Sequence, residues 1–172
     1  MKSHINFYFC TIMLLAGITF SPHPVSAGPP ETIGSSERCA VCGMFVAKYP
    51  NWVTQVQYED ENPKYFDGVK DLMVYLFAPA SYGSEPGLKT KEIWVKDYYS
   101  LKWIDGRSAI YVGGSDVFGP MGKEFIPFSK REAAENFHKD HHGKQILVFD
   151  EITSEMVGSM RSGHKMKNHM MK

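Results

Sequence analysis

Two thiols and a thioether fall within six residues in the segment Arg38-Cys39-Ala40-Val41-Cys42-Gly43-Met44. Sulfur donors are soft: they favour monovalent copper over hard cations, and they compete well for zinc only where four strong donors assemble. Met44 is the informative member. A thioether is a poor ligand for Zn(II) and a good neutral one for Cu(I); it needs no deprotonation and forms no disulfide in an oxidising compartment. In an extended segment, residues i and i+2 point the same way, so Cys42 and Met44 are expected to meet one ion, with Gly43 adding no bulk between them. One thiolate with one or two thioethers leaves net charge near zero and coordination positions open, which suits an ion that is to be handed on.

Cys39 and Cys42 admit other chemistry as well: a structural disulfide, a redox pair or a zinc site. A zinc ribbon requires a second Cys pair, which is missing, although His141 and His142 offer two more donors. Both are expected to be exposed residues ending a helix, and His138 to lie on that helix. A thiol-disulfide oxidoreductase of the thioredoxin kind places its Cys-x-x-Cys at the start of a helix, and no such context surrounds this one. Cleavage of a carbon–metal bond needs a proton donor beside the thiols, for which Asp67 is the candidate. A further soft donor, Met121, lies in Gly119-Pro120-Met121-Gly122, where glycine and proline predict a tight turn.

The elements that must position these donors follow from periodicity. Trp52 to Tyr58 alternates as a strand does, and Lys64 to Phe66 is its expected partner across an Asp-Glu-Asn-Pro turn. Asp67 is expected to cap a helix running to about Phe77, with Val69, Leu72, Met73 and Leu76 at helical spacing. Glu92 to Lys96 reads as a third strand. The second half repeats the order: strands at 109–112 and 125–128, a helix at 130–138 with a Ser129/Glu132 capping box, and a strand at 145–149. These define an α+β domain over residues 37–155, built from two tandem ββαβ-like units with a helix covering each antiparallel sheet. Asp150 to about Met160 reads as a short terminal helix.

Lys2, the apolar run from Ile5 to Phe20 and Val25-Ser26-Ala27 have the layout of a signal peptide cleaved near Ala27, which predicts export to the periplasm. The bulky residues before Cys10 disfavour a lipid anchor there. Residues 28–36 are turn-rich and expected to form a flexible leader. Removing 1–27 leaves 18 basic against 19 acidic residues, a balance that gives no support for nucleic-acid binding. Five of the ten methionines fall in the last 17 positions, interleaved with His164 and His169, so 156–172 is expected to be a basic, disordered tail able to collect copper weakly.

The ordered series of short motifs resembles the NosL family: Arg38-Cys39-x-x-Cys42-Gly43-Met44-x-Val46, Lys64-Tyr65-Phe66, Ile93-Trp94-Val95-Lys96-Asp97, Asp105-Gly106-Arg107-Ser108-Ala109-x-Tyr111-Val112, Gly119-Pro120-Met121-Gly122 and Val148-Phe149-Asp150-Glu151-Ile152. The resemblance implies a periplasmic Cu(I)-binding protein that serves the copper sites of nitrous oxide reductase, directly or through a membrane transporter complex. It also implies a pair of ββαβ units related in fold to organomercurial lyase. Cys42 and Met44 match the family's Cys-x-Met copper motif, and Met121 matches the Met of its Gly-x-Met-Gly turn. Cys39 is a variable position of that motif. The sequence departs from the family in lacking a lipoprotein signature and in having Asp67 where some members have Cys. No enzymatic activity and no small-molecule substrate are implied.

Overall fold

The computed structural model describes residues 28–30, 32–59 and 62–170, with side chains through Ser162. The expected signal peptide and its cleavage position lie outside these residues, as does the Asp60-Glu61 part of the first hairpin turn. The first unit comprises β1 (Thr54–Tyr58), β2 (Lys64–Phe66), α1 (Val69–Phe77) and β3 (Thr90–Lys96), followed by a short edge strand, β4 (Trp103–Asp105). The second comprises β5 (Ile110–Gly119), β6 (Gly122–Phe128), α2 (Arg131–Asp140) and β7 (Gln145–Val148), and α3 (Ser154–Met170) closes the chain.

The strands form two antiparallel sheets, ordered β2-β1-β3-β4 and β6-β5-β7. In each unit the first strand is central, flanked by the second and third, so the tandem ββαβ pattern is the observed topology. Alternation along β5 and β6 divides the core. Tyr111 and Phe125 pack with Val56, Phe66, Leu72 and Tyr75 of the first unit, whereas Val112, Ile126 and Phe128 face Ala134 and Phe137 of α2. The second sheet is therefore covered on both faces. Helix α1 meets its own strands β1 and β2, and also β6 and α3.

Several local expectations are corrected. Asp67 does not cap α1: the N-cap is Gly68, and it makes no side-chain cap. Instead Glu124, from β6 in the other unit, accepts a hydrogen bond from the Lys70 N–H in the first turn and one of 3.0 Å from its neighbour Phe125 N–H. Lys70 answers by donating its Nζ to the carbonyls of Met121 and Lys123, at 2.7 and 2.9 Å. The Ser129/Glu132 capping box does not form; Lys130 is the N-cap without a side-chain bond, and the Ser129 N–H goes to Asp97 Oδ2 at 2.7 Å. Residues expected as a flexible leader are docked, with Ile33 against the core and the Trp103 Nε1–H donating to the Pro30 carbonyl at 3.3 Å. Trp103 does this from β4, a strand too short to show alternation. The terminal helix, expected to end near Met160, runs on to Met170 within the part read as a disordered tail. Its anchor is apolar, Val157 and Met160 being buried in the main core.

The Glu124 link has consequences for stability. A β-carbon at position 68 would lie 2.3 Å from Glu124 Oε2, so Gly68 is required by space rather than by its extended backbone. Gly68→Ala should destabilise the fold by about 1–3 kcal/mol through overpacking, measured by urea denaturation. Burial pushes the Glu124 carboxyl up to about 8, against the attraction of Lys70. Because the folded form holds this proton more tightly than the unfolded chain does, the associated stability is present at low pH and is lost as pH rises through about 8. Glu124→Gln should flatten that decline in denaturation curves taken across the same range.

Candidate metal centre

The Cys39–Met44 segment is a closed loop. The Cys39 N–H donates to the Met44 carbonyl at 2.8 Å, the Gly43 N–H to the Cys39 carbonyl at 2.9 Å, and the Ala40 N–H to the Tyr65 carbonyl at 3.0 Å. Gly43 has φ +77°, a conformation that favours glycine because a β-carbon would crowd the backbone. Cys42-Gly43-Met44 is therefore not extended, and the expectation that i and i+2 share a face does not apply to it. The loop is instead closed through the backbone, between Cys39 and Met44. An Arg38 guanidinium N–H donates to the Gly43 carbonyl at 2.9 Å and holds the outer side of the loop.

Cys39 is buried and Cys42 half-buried; both are free thiols. Two carboxylates on either side of the start of α1 face them. The Cys39 thiol lies 3.5 Å from Asp71 Oδ2, and the Cys42 thiol 3.5 Å from Asp67 Oδ2. The Cys42 N–H also points at Cys39 Sγ, at 3.5 Å. One ligand atom from each of Cys39, Cys42, Asp67 and Asp71 can be chosen so that all lie within 4.8 Å of one another.

The electrostatics of this corner call for a cation. Asp67 and Asp71 are 2% and 3% exposed around one helical turn, with the Lys70 ammonium buried beside them. The positive end of α1 offsets part of this charge. Burial, then the charge of Asp71, raises Asp67 above the usual carboxylate range, and its Oδ1 is buried without a hydrogen-bond partner. The hydrogen bond with the Cys42 side chain, then burial, then the charge of Asp67 push the Cys39 thiol far up. A redox-active Cys-x-x-Cys works through a depressed thiol. The geometry here does the reverse to Cys39.

Sequence reasoning reached Cys39 and Cys42 and named Asp67 only as a cap and a candidate acid; it missed Asp71. The available signal was the four-residue spacing of Asp67 and Asp71 across a helix start, which sets two acids along one side of the first turn. Met121 lies, as expected, in the turn between β5 and β6, half-buried, with its carbonyl tied to Lys70. That bond brings the second unit's turn to the helix end that carries Asp67 and Asp71. His141 stands elsewhere, with its Nδ1 3.1 Å from Asp116 Oδ1 and its ring stacked on Phe137. Among the described residues, neither it nor His142 joins the cysteine cluster.

The family model for NosL matches residues 30–157, nearly all of the folded part. The chain belongs to the NosL family. Its fold agrees: the crystal structure of the copper chaperone NosL from Shewanella denitrificans is 29% identical, superposes with a TM-score of 0.60, and covers 74% of this chain and 99% of its own. The copper-binding lipoprotein NosL of Stutzerimonas stutzeri is 27% identical over 145 residues, which is 78% of this chain and 73% of that protein. This NosL chain is thus of a copper-binding, chaperone-type family. Among its described residues no helix is long and apolar enough to cross a membrane.

The two thiols should differ in reactivity. Limited alkylation of the reduced protein with iodoacetamide, read by peptide mass spectrometry, should label Cys42 roughly tenfold faster than Cys39 or more, since burial and a thiol pushed far up both hold Cys39 back. Asp67→Asn should narrow the gap by removing a charge that holds the Cys39 proton in place.

Proposed function

We propose that this protein is an exported copper chaperone that binds one Cu(I) through the Cys42 thiolate with the thioethers of Met44 and Met121. The ion is its cargo. It is passed by ligand exchange to a copper-site client of the nitrous oxide reductase type, either directly or through a membrane transporter complex. The observation that carries this reading is the placement of a half-buried Cys42 in a loop closed on Met44, beside the helix end to which Lys70 ties the Met121 turn. Cys42 supplies the one anionic donor that neutralises Cu(I), and the thioethers add affinity without adding charge. Partial exposure of Cys42 gives an incoming ligand a path to the ion. The signal-like start of the chain supports a periplasmic location, and the named relatives support the chaperone role.

Asp67 and Asp71 qualify the donor set. They are hard ligands held against soft ones, so the same pocket also suits a borderline divalent ion such as zinc when both thiols are ionised. The two readings separate by ligand. Anaerobic titration of the reduced, signal-free protein with Cu(I) against a chromophoric chelator should give one tight copper per chain. Cys42→Ser should weaken it by at least about a hundredfold, and Met44→Ala or Met121→Ala by about ten- to a hundredfold, judging from the cost of losing even indirect partners of a metal. Cys39→Ser should leave most of the affinity. If instead Cys39, Asp67 and Asp71 govern binding while the methionines are dispensable, the zinc reading replaces the copper one.

A further inference from the structure

Arg38 and Lys48 stand over the same aromatic ring. The Arg38 guanidinium carbon is 3.8 Å from the Phe45 centroid and the Lys48 ammonium 5.5 Å from it. One cation on an exposed ring contributes about 0.5–1 kcal/mol. A second, of like sign, is repelled by the first. Among the described residues neither cation is paired with a carboxylate. Both are held in place: Arg38 by its bond to the Gly43 carbonyl, and Lys48 by a 3-10 turn, Val46–Lys48, whose first residue is fully buried. The pair therefore forms a fixed, exposed, positively charged edge on the loop that carries Cys42 and Met44, while the acidic groups of the site face inward.

Self-repulsion at such an edge has no evident return within the fold. It has one if an anion docks there. We propose that the Arg38–Phe45–Lys48 face is the docking surface for an acidic protein partner that presents a thiol to the copper held by the Cys42 loop. This rests on the copper reading above. Electrostatic steering at a cationic edge raises encounter rates with acidic surfaces and falls with ionic strength. The guanidinium bonded to Gly43, between the two loop ligands, makes the attraction strongest where exchange occurs. In the exchange, the partner's sulfur bonds to Cu(I) before the Cys42 sulfur leaves it. The proton released by the partner's thiol balances the one that Cys42 takes up, and no electron changes hands.

The test uses the signal-free protein loaded with one Cu(I) and two synthetic peptides that share a Cys-Gly-Gly-Cys core, one flanked by glutamates and the other by lysines. At low salt, stopped-flow transfer to the glutamate peptide should be about tenfold faster than to the lysine peptide. The difference should fade as salt approaches roughly 0.5 M, where the screening length is a few ångströms. Lys48→Glu should reduce the preference about three- to tenfold, and Lys48→Arg should keep it. Among the described residues Lys48 makes no hydrogen bond through its side chain, so its variants are expected to fold, and their copper occupancy is read in the same samples. Transfer blind to peptide charge, with occupancy intact, overturns the docking surface alone. A preference that neither Lys48→Glu nor Arg38→Gln moves also overturns it, because the attraction then arises elsewhere. Charge-blind transfer with binding to phosphatidylglycerol vesicles that Lys48→Glu abolishes would assign the face to a lipid surface instead. Failure of the wild-type protein to hold copper at all brings down the copper reading and this one together.

Discussion

The reciprocal bond between Glu124 and the first turn of α1 is the constraint on which the architecture of the site depends. A carboxylate from the second unit satisfies a helix N-terminus of the first, while the lysine beside that N–H reaches back to two carbonyls of the second unit's hairpin. Neither half completes this arrangement alone. Helix ends leave backbone donors unpaired, and a buried end without partners is costly. The link therefore fixes the β5–β6 turn against the helix end that carries Asp67 and Asp71. Met121 and the cysteine loop belong to different units, and this connection is what relates them.

A site built on such a seam differs from one built within a single element. The Cys39–Met44 loop satisfies its backbone groups internally and on Tyr65, so its shape does not rely on a bound ion. Cys39 belongs to the core, and Cys42 lies at its margin. Depth thus separates two thiols that are only three residues apart, and it gives them different parts. The outer one is available for exchange. The inner one, flanked by Asp71 and the Cys42 amide, is placed to support the loop and to hold a proton.

Strong periodicity made most of the fold legible. The helical spacing of Val69, Leu72 and Met73 and the apolar run at 125–128 were readable because they fill the cores, β6 supplying one core from each of its faces. What could not be read was every partnership across the units. Asp67 looked like a cap because acids before helices usually are, but the competing Glu124 comes from a residue 57 positions later in the chain. Ser129 looked like a cap as well, until Asp97 took its N–H. Cys42 and Met44 could be singled out as candidates because soft-donor chemistry is carried by residue type, whereas Asp71 became a candidate only through the thiol opposite. The expected pairing of Cys42 with Met44 assumed extended backbone, and the positive φ of Gly43 departs from it.

The matching topology of the two units supplies an internal control. In both, two residues separate the second strand from the helix: Asp67 and Gly68 between β2 and α1, Ser129 and Lys130 between β6 and α2. Aligning the two stretches sets Asp67 on Ser129 and Asp71 on Ala133, so at these two positions the second unit has a hydroxyl and a methyl group in place of the acids. Its corresponding corner meets a carboxylate from outside, Asp97, through the Ser129 N–H, where the first sets its own acids against two thiols. The repeat has therefore divided its labour. One copy gathers the buried acids and the thiols, and the other sends its β5–β6 hairpin across to brace them, so the doubled scaffold keeps its topology while its two helix starts have diverged.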